Sequence, residues 1–352
     1  MKALSDHDIS SLREQFETWN CPPSHADRLL SSYYNSGGVI DLAALKLGKA
    51  LTAKLETEIP LRQSHVLTKS ASSDGTVKLL LGMKRGGAVE TVLMTTNIAE
   101  RAAGCVSSQI GCAMGCDFCA STKGGLERNL EAGEIVEQFL HLRENAIATN
   151  RRLSTLVFMG MGEPLQNYDN VIAAIKRIAD NKLGGLGWRQ ITVSTVGIVP
   201  AMHQLADENL NINLALSLHA PDDETRSKIV PMNKRYPVKE IIDATKRFFE
   251  LTGRITNVEY CMLDGVNDSD DHARMLAELL KNFRTHVNLI PFNAIGTSLN
   301  GVVYKRPSDE RLESFIEILK AGGVVTHFRK TRGDDVNAAC GQLRERIAGT
   351  GK

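Results

Sequence analysis

From residue 103 onward, short β-rich runs alternate with longer amphipathic ones, and this rhythm constrains the fold more than any other feature of the chain. The runs are CVSSQIGC, followed by a helical pattern at 131–148; LVFMGMG, followed by 167–180; ITVSTVG, followed by 198–208; and INLALSLHA, followed by 238–251. They continue with ITNVEYCML and 270–282, then HVNLIPF and 308–321, and end on VVTHFRK. Strand–helix alternation at this spacing dictates βαβ units, because parallel neighbours need a crossover and the helix supplies it. Six or seven such units predict an α/β fold, an open or partial TIM-like barrel. Functional residues are then expected just after the strands, on the carboxyl face.

Residues 1 to about 84 read differently. DHDISSLREQFETW (6–19), HADRLLSSYYN (25–35) and DLAALKLGKALTAKL (41–55) carry apolar residues at helical spacing. Each begins near an Asp or Ser able to cap it, and Pro22-Pro23 and Gly37-Gly38 supply breaks. VKLLLGMKRGGAVETVLM (77–94) predicts a hairpin turning around Gly86-Gly87. The expected organisation is a helical accessory domain over 1–84 and a core over 85–352 that carries the hairpin as an extension.

Apolar and charged fractions of 42% and 24% are those of an ordinary globular protein. The amino terminus lacks the apolar stretch of a signal peptide, and no run of about 18 apolar residues could span a bilayer, so the expected location is the cytosol. A net charge of +1 does not by itself mark a nucleic-acid binder. Basic residues recur in short groups, Lys84-Arg85, Arg151-Arg152, Lys234-Arg235, Lys305-Arg306 and Arg329-Lys330 with Arg332. Each alone is a solvated surface feature, and a patch forms only if the fold brings them together.

The seven cysteines are odd in number and unevenly spaced, which argues against a secreted disulfide framework. Cys21 and Cys261 read as small buried hydrophobes. Cys105, Cys112, Cys116 and Cys119 fall within fifteen residues, and such crowding in a reducing compartment points to metal or redox chemistry. The sharpest signal is the CxxxCxxC formed by Cys112, Cys116 and Cys119. Three thiolates this close can ligate three irons of a cubane cluster and leave the fourth iron open. Structural zinc prefers four protein ligands with paired CxxC motifs, and no second pair exists here, although Cys105 or a distant histidine could complete a tetrahedron.

A CxxxCxxC placed after the first strand of a βα array resembles the radical-SAM superfamily. The resemblance narrows to the RlmN/Cfr family of radical-SAM RNA methyltransferases, carried by VETV (89–92), CVSSQIGC (105–112), RNL (128–130), FMGMGEPL (158–165), VSTVGIVP (193–200), LSLHAPDDETRSKIVPMN (216–233), IPFN (290–293) and TRGDDVNAACGQL (331–343). It implies a partial (β/α)6 barrel with an amino-terminal helical, RNA-recognition domain. It also implies a [4Fe–4S] cluster on Cys112, Cys116 and Cys119 whose open iron chelates S-adenosylmethionine. Gly162 and Glu163 in the GMGEP strand end would then hold the amino-acid end of that cofactor, and Ser194, Ser217, Leu218, His219 and Asn293 match its remaining contacts. By itself, His219 would read as a satisfied core histidine.

The same resemblance assigns Cys340 as the cysteine that carries a methyl group, Cys105 as the resolving cysteine that forms a transient disulfide with it, and Glu90 as proton acceptor. Two activities share this machinery, methylation of adenine C2 (RlmN-like) or C8 (Cfr-like). Pro164 and the Arg332–Asp335 run look RlmN-like, whereas Leu126 and Ile198 follow the Cfr pattern and IPFNAIG lacks a proline after Asn293; the balance favours C2. The implied partners are 23S rRNA, tRNA and a one-electron reductant such as a flavodoxin, with a monomer expected. Two rivals are a radical-SAM enzyme acting on a non-RNA target, such as a protein glycyl site, and an iron–sulfur or zinc sensor that binds nucleic acid without turnover. Neither needs both Cys105 and Cys340.

Overall fold

The structure is a computed structural model that describes residues 2–329 and 332–343; Lys330, Thr331 and residues 344–352 lie outside it, including one residue of a basic group and the first of the TRGDD run. Three helices come first, α1 (Ile9–Thr18), α2 (His25–Asn35) and α3 (Lys49–Glu58). The Asp8 carboxylate caps α1 by accepting from the Ser11 amide at 2.8 Å, as the Asp at its start predicts. Strands β1 (Ser64–Ala71), β2 (Val77–Met83), β3 (Ala88–Thr95) and β4 (Arg101–Cys105) then form an antiparallel meander.

Six βα units follow from β4: α4 (Ala132–Ala148), β7 (Arg152–Phe158), α5 (Tyr168–Ala179), β8 (Ile191–Thr195), α6 (Val199–Asp207), β9 (Asn213–Ser217), α7 (Asp223–Ile229), α8 (Val238–Thr252), β10 (Thr256–Met262), α9 (Asp270–Leu279), β11 (Thr285–Pro291), α10 (Asp309–Ala321) and β12 (Val325–Phe328). A small two-stranded sheet, β5 (Gln109–Gly111) with β6 (Leu126–Asn129), is inserted between β4 and α4. The large sheet runs β1-β2-β3-β4-β7-β8-β9-β10-β11-β12, and every pairing from β4 onward is parallel. This is the expected partial barrel, with the hairpin joined to its first strand.

The register gathers chemistry at one end. Ser194 faces Ala215, Ser217 faces Glu259, and Glu259 faces Asn288, so the carboxyl ends of four adjacent strands meet at one level. The first eleven residues of α4 are all buried, because its outer side lies under the amino-terminal segment. Ser5 Oγ donates to Glu137 at 2.6 Å and the Gln63 amide donates to the same carboxylate at 2.9 Å. One apolar core joins Leu12, Phe16, Tyr33 and Leu55 of the first three helices to Ile135 and Phe139 of α4 and to the first barrel strands.

The structure departs from the sequence reading in three places. The first barrel strand is RAAGC, ending at Cys105, and not CVSSQIGC, whose second half belongs to the small sheet. The amino-terminal helices stop at Glu58, and Ser64–Ala71 and Val77–Met83 are strands, so the expected boundary at 84 falls inside a paired hairpin. The edge strand β1 is largely exposed and shows no apolar alternation, which hid it. Helix α7 was also unforeseen; it is seven residues long, too short for a periodic signal.

Candidate active site

The CxxxCxxC loop starts where β5 ends. The Cys112 amide donates to the Gly125 carbonyl at 2.9 Å, the Asp117 amide to Ile229 at 2.9 Å and the Ala120 amide to Gly341 at 2.8 Å. Buried Asp117, the residue after Cys116, accepts from the Tyr304 hydroxyl at 2.6 Å and the Asn300 amide at 3.0 Å. The loop is thus tied to three distant segments, and its cysteines line one cavity at the barrel mouth. Burial pushes the Cys112 thiol up to about 12 and raises Cys116 and Cys119 as well. Among the described residues no three His, Cys, Asp or Glu side chains converge on one metal ion. A cubane does not require such convergence, since each thiolate binds a different iron.

The same cavity is bordered by Gly160, Gly162, Glu163, Ser194, Ser217, His219, Glu259, Cys261 and Cys340. The glycines bring β7 against the start of the small sheet: a Cβ on Gly160 would lie 2.8 Å from the Val106 backbone, and one on Gly162, at φ +95°, 2.5 Å from Gln109. Glu163 is buried; it accepts from the Leu165 amide at 3.0 Å and the Val196 amide at 2.9 Å. Burial raises its carboxyl to about 7 against those bonds. Ser194 and Ser217 touch through their hydroxyls at 3.1 Å.

His219 occupies the left-handed region at φ +59° and packs edge-on against Phe118, 4.7 Å between ring centres. Its Nδ1 accepts from the Cys261 amide at 2.9 Å, and burial lowers its pKa to about 3. The ring is therefore neutral and carries its proton on Nε2. Leu218 differs from the other expected contacts. Its side chain is fully buried in the core, and its backbone alone serves the region, the carbonyl accepting from Arg226 at 2.9 Å.

Cys340 is exposed and borders two cavities, the one above and a second that Cys105, Met159, Asn293, Arg329 and Arg332 also line. Asn293 thus belongs to the second cavity, where its amide donates to the Cys340 carbonyl at 3.3 Å. Cys105 is buried at the end of β4, its thiol pushed up to about 12 by burial. Both thiols are free. Glu90 lines a third cavity with Lys78, Asn337 and Gln342, and pairs with Lys78 at 2.7 Å. The hydroxyl of Ser107 donates to the Glu90 carbonyl at 2.7 Å and accepts from the Met161 amide at 2.8 Å, so one side chain ties β3 to the GMGEP turn.

The structure adds two residues to the site. Glu259, buried on β10, accepts from Asn288 at 2.8 Å and from Arg329 at 3.4 Å through one oxygen; the other oxygen is buried without a partner among the described residues. Its place two residues before Cys261 on an inward face was the available signal. Arg226 on α7 is fully buried and donates to the carbonyls of Leu218, Val196 and Ser217 and to Asn233 Oδ1, at 2.6–3.2 Å. Nothing local in the sequence distinguishes it from a surface arginine. Of the basic groups, among the described residues, Arg329 and Arg332 line the second cavity.

Residues 106–277 match the radical SAM superfamily. A relative from Opitutus terrae, named "Probable dual-specificity RNA methyltransferase RlmN 1", is 49% identical over 97% of this chain and 96% of its own length. One of the same kind from Desulforamulus reducens is 42% identical over 97% and 96%. The chain belongs to the RlmN family of radical-SAM proteins. The crystal structure of a radical SAM methyltransferase from Sphaerobacter thermophilus superposes with a TM-score of 0.92 at 42% identity, covering 98% of this chain and 99% of that one. The RlmN resemblance drawn from the motifs is borne out, and the relatives do not favour the Cfr alternative.

Proposed function

We propose that the chain methylates C2 of an adenosine in the peptidyl-transferase centre of 23S rRNA and the adenosine 3′ of the anticodon in tRNAs, through a methylated cysteine. The observation that carries this reading is Cys340, the one cysteine that borders both the cavity of Cys112, Cys116 and Cys119 and the cavity of Cys105. The donor set fits the group the family implies. Three thiols share one cavity, and beside them Arg226 is a buried cation whose four hydrogen bonds all go to neutral oxygens.

Cys112, Cys116 and Cys119 would hold a [4Fe–4S] cluster, and Gly162, Glu163, Ser194, Ser217, His219 and the Leu218 backbone would hold S-adenosylmethionine. When bound, these groups supply a methyl for a thiol and a radical for hydrogen abstraction. Glu163 would offer its remaining lone pairs to the ammonium of that cofactor, and neutral His219 would offer its Nε2 proton as a donor. Cys340 carries the methyl between the two cavities. Loss of a hydrogen atom from the S-methyl group would let its carbon bond to the adenine ring carbon; Glu90 would take the ring proton, and the adduct would give one electron back to the one-electron couple that supplied it. Cys105 would then attack the Cys340 sulfur, the S–C bond breaking with its pair on the methylene, which takes up a proton to become the product methyl and leaves a Cys105–Cys340 disulfide. Asn293 positions the Cys340 segment.

The amino-terminal segment 1–84 is assigned to RNA recognition. A flavodoxin-type protein would supply the electron. The described residues contain no helix able to cross a membrane, and the assigned substrates place the enzyme in the cytoplasm, where it would act as a monomer.

The test uses anaerobically reconstituted protein with reductant, methyl-labelled S-adenosylmethionine and unmethylated rRNA or tRNA, followed by nuclease digestion and mass spectrometry. A C2-methyladenosine that disappears in Cys340→Ala is expected. A C8 product, or cofactor cleavage with no methylated RNA, would overturn the assignment.

A further inference from the structure

A guanidinium with no exposure at all is expensive to bury unless an opposite charge compensates it. Arg226 is such a group, and its hydrogen bonds end on three carbonyls and an amide oxygen. A neutral side chain could bond carbonyls without that desolvation cost, so bonding alone does not explain the choice of arginine. The helix that carries Arg226 is built against the cysteine loop. Ile229 accepts from the Asp117 amide at 2.9 Å, Pro231 lies 3.4 Å from the position of a Cβ on Gly115, and Ile229 and Val230 pack in one apolar cluster with Cys112 and Cys116. Desolvation lowers the Arg226 pKa to about 10, and Cys116 is the first of the groups that oppose that fall.

We propose that Arg226 is the buried counter-charge of the cluster, stabilising its reduced form and so raising the potential at which it takes up an electron. This rests on the reading that Cys112, Cys116 and Cys119 hold a cluster. A cubane with three thiolate ligands is anionic, and one-electron reduction adds a further negative charge in an apolar setting. Net charge around the sulfurs and solvent exposure are the protein's main levers on such a potential. Arg226 lies outside solvent, so its field is little screened by salt. Reduction itself is a simple balance: one electron enters from the external reductant, no proton moves, and Arg226 keeps its charge throughout.

The experiment is an electron-paramagnetic-resonance redox titration of reconstituted wild type, Arg226→Met, Arg226→Lys and Ser227→Asp. Ser227 is partly exposed and its hydroxyl meets the Asn233 amide at 2.9 Å, so an aspartate there adds opposing charge while every Arg226 bond is kept. At a fixed potential, Arg226→Met should hold about tenfold less reduced cluster, a fall of ~59 mV for one electron. Arg226→Lys should stay near wild type, and Ser227→Asp should shift in the same direction as Arg226→Met by a smaller step. The proposal falls if Arg226→Met titrates like wild type, if Arg226→Lys falls as far as Arg226→Met, or if only affinity for S-adenosylmethionine changes. Should the arginine variants not fold, an unshifted Ser227→Asp overturns it alone. Wild type that takes up no iron would instead defeat the cluster reading.

Discussion

Gly162 and Gly86 share nearly the same backbone, φ +95° and +93°, yet a side chain would meet very different surroundings at the two positions. A Cβ on Gly86 meets nothing within 4 Å, whereas one on Gly162 would fall 2.5 Å from Gln109 Cβ and 2.8 Å from its amide nitrogen. Gln109 cannot yield cheaply. Its side chain accepts from the Glu163 amide at 2.8 Å and donates to Asn129 at 2.8 Å. Gly86→Ala therefore costs only the left-handed strain, about 1 kcal/mol. Gly162→Ala adds a backbone clash and displaces Glu163, for a loss of roughly 3 kcal/mol. Urea unfolding should separate the two, and calorimetry should show weaker S-adenosylmethionine binding, by tenfold or more, in Gly162→Ala alone. Equal stability of the two variants would mean the turn relaxes and the close approach is not required.

Helix α4 shows how an element can be read correctly in extent and wrongly in surroundings. Its amphipathic pattern fixes the span to within a residue, but Glu134, Glu137, Gln138 and His141, all ordinary candidates for a solvated face, are buried. Covering comes from residues far away in sequence, which no local period reports. The strands β7 to β12 were legible because each is an apolar run ending at a motif. β1 was not, since its side chains face solvent on an edge. Within the covered face, His141 Nδ1 accepts from Arg62 at 3.2 Å, so the proton sits on Nε2 and points to Ser64 Oγ at 3.0 Å. Burial first, and then the charge of Arg62, lowers its pKa from 6.5 to about 3. The unfolded chain thus binds a proton below pH 6.5 that the folded chain refuses, and stability falls as pH drops from about 6.5 toward 3. Relative to His141→Gln, wild type should lose about 2 kcal/mol between neutral pH and pH 5, by urea midpoints at each pH. Parallel pH profiles would show that the ring titrates normally in the fold.

At the scale of the molecule, the question is whether the helices before residue 59 form a separable unit. The sequence reading sets a helical accessory domain over 1–84, because the strand–helix rhythm begins only later. The packing argues otherwise. Leu4, Leu12, Phe16, Leu29, Leu30, Tyr33, Tyr34, Leu51 and Leu55 belong to the same apolar core as Ile135, Phe139, Val92 and Leu156. Each such side chain contributes about 2 kcal/mol by leaving water, so the set exceeds the 5–15 kcal/mol by which a typical domain is stable. Their removal would also strand Glu137, whose raised pKa reflects burial, without the Ser5 hydroxyl that answers it. A chain beginning at residue 59 should therefore be insoluble or lack a cooperative thermal transition. The three cysteines of the loop would then have no fixed frame, and iron uptake should fail as a consequence of unfolding. A truncated chain that melts cooperatively near the full-length temperature and takes up iron would show that the helices are an accessory docked on a self-sufficient barrel. The strands β1 to β3 would then mark the true start of the core.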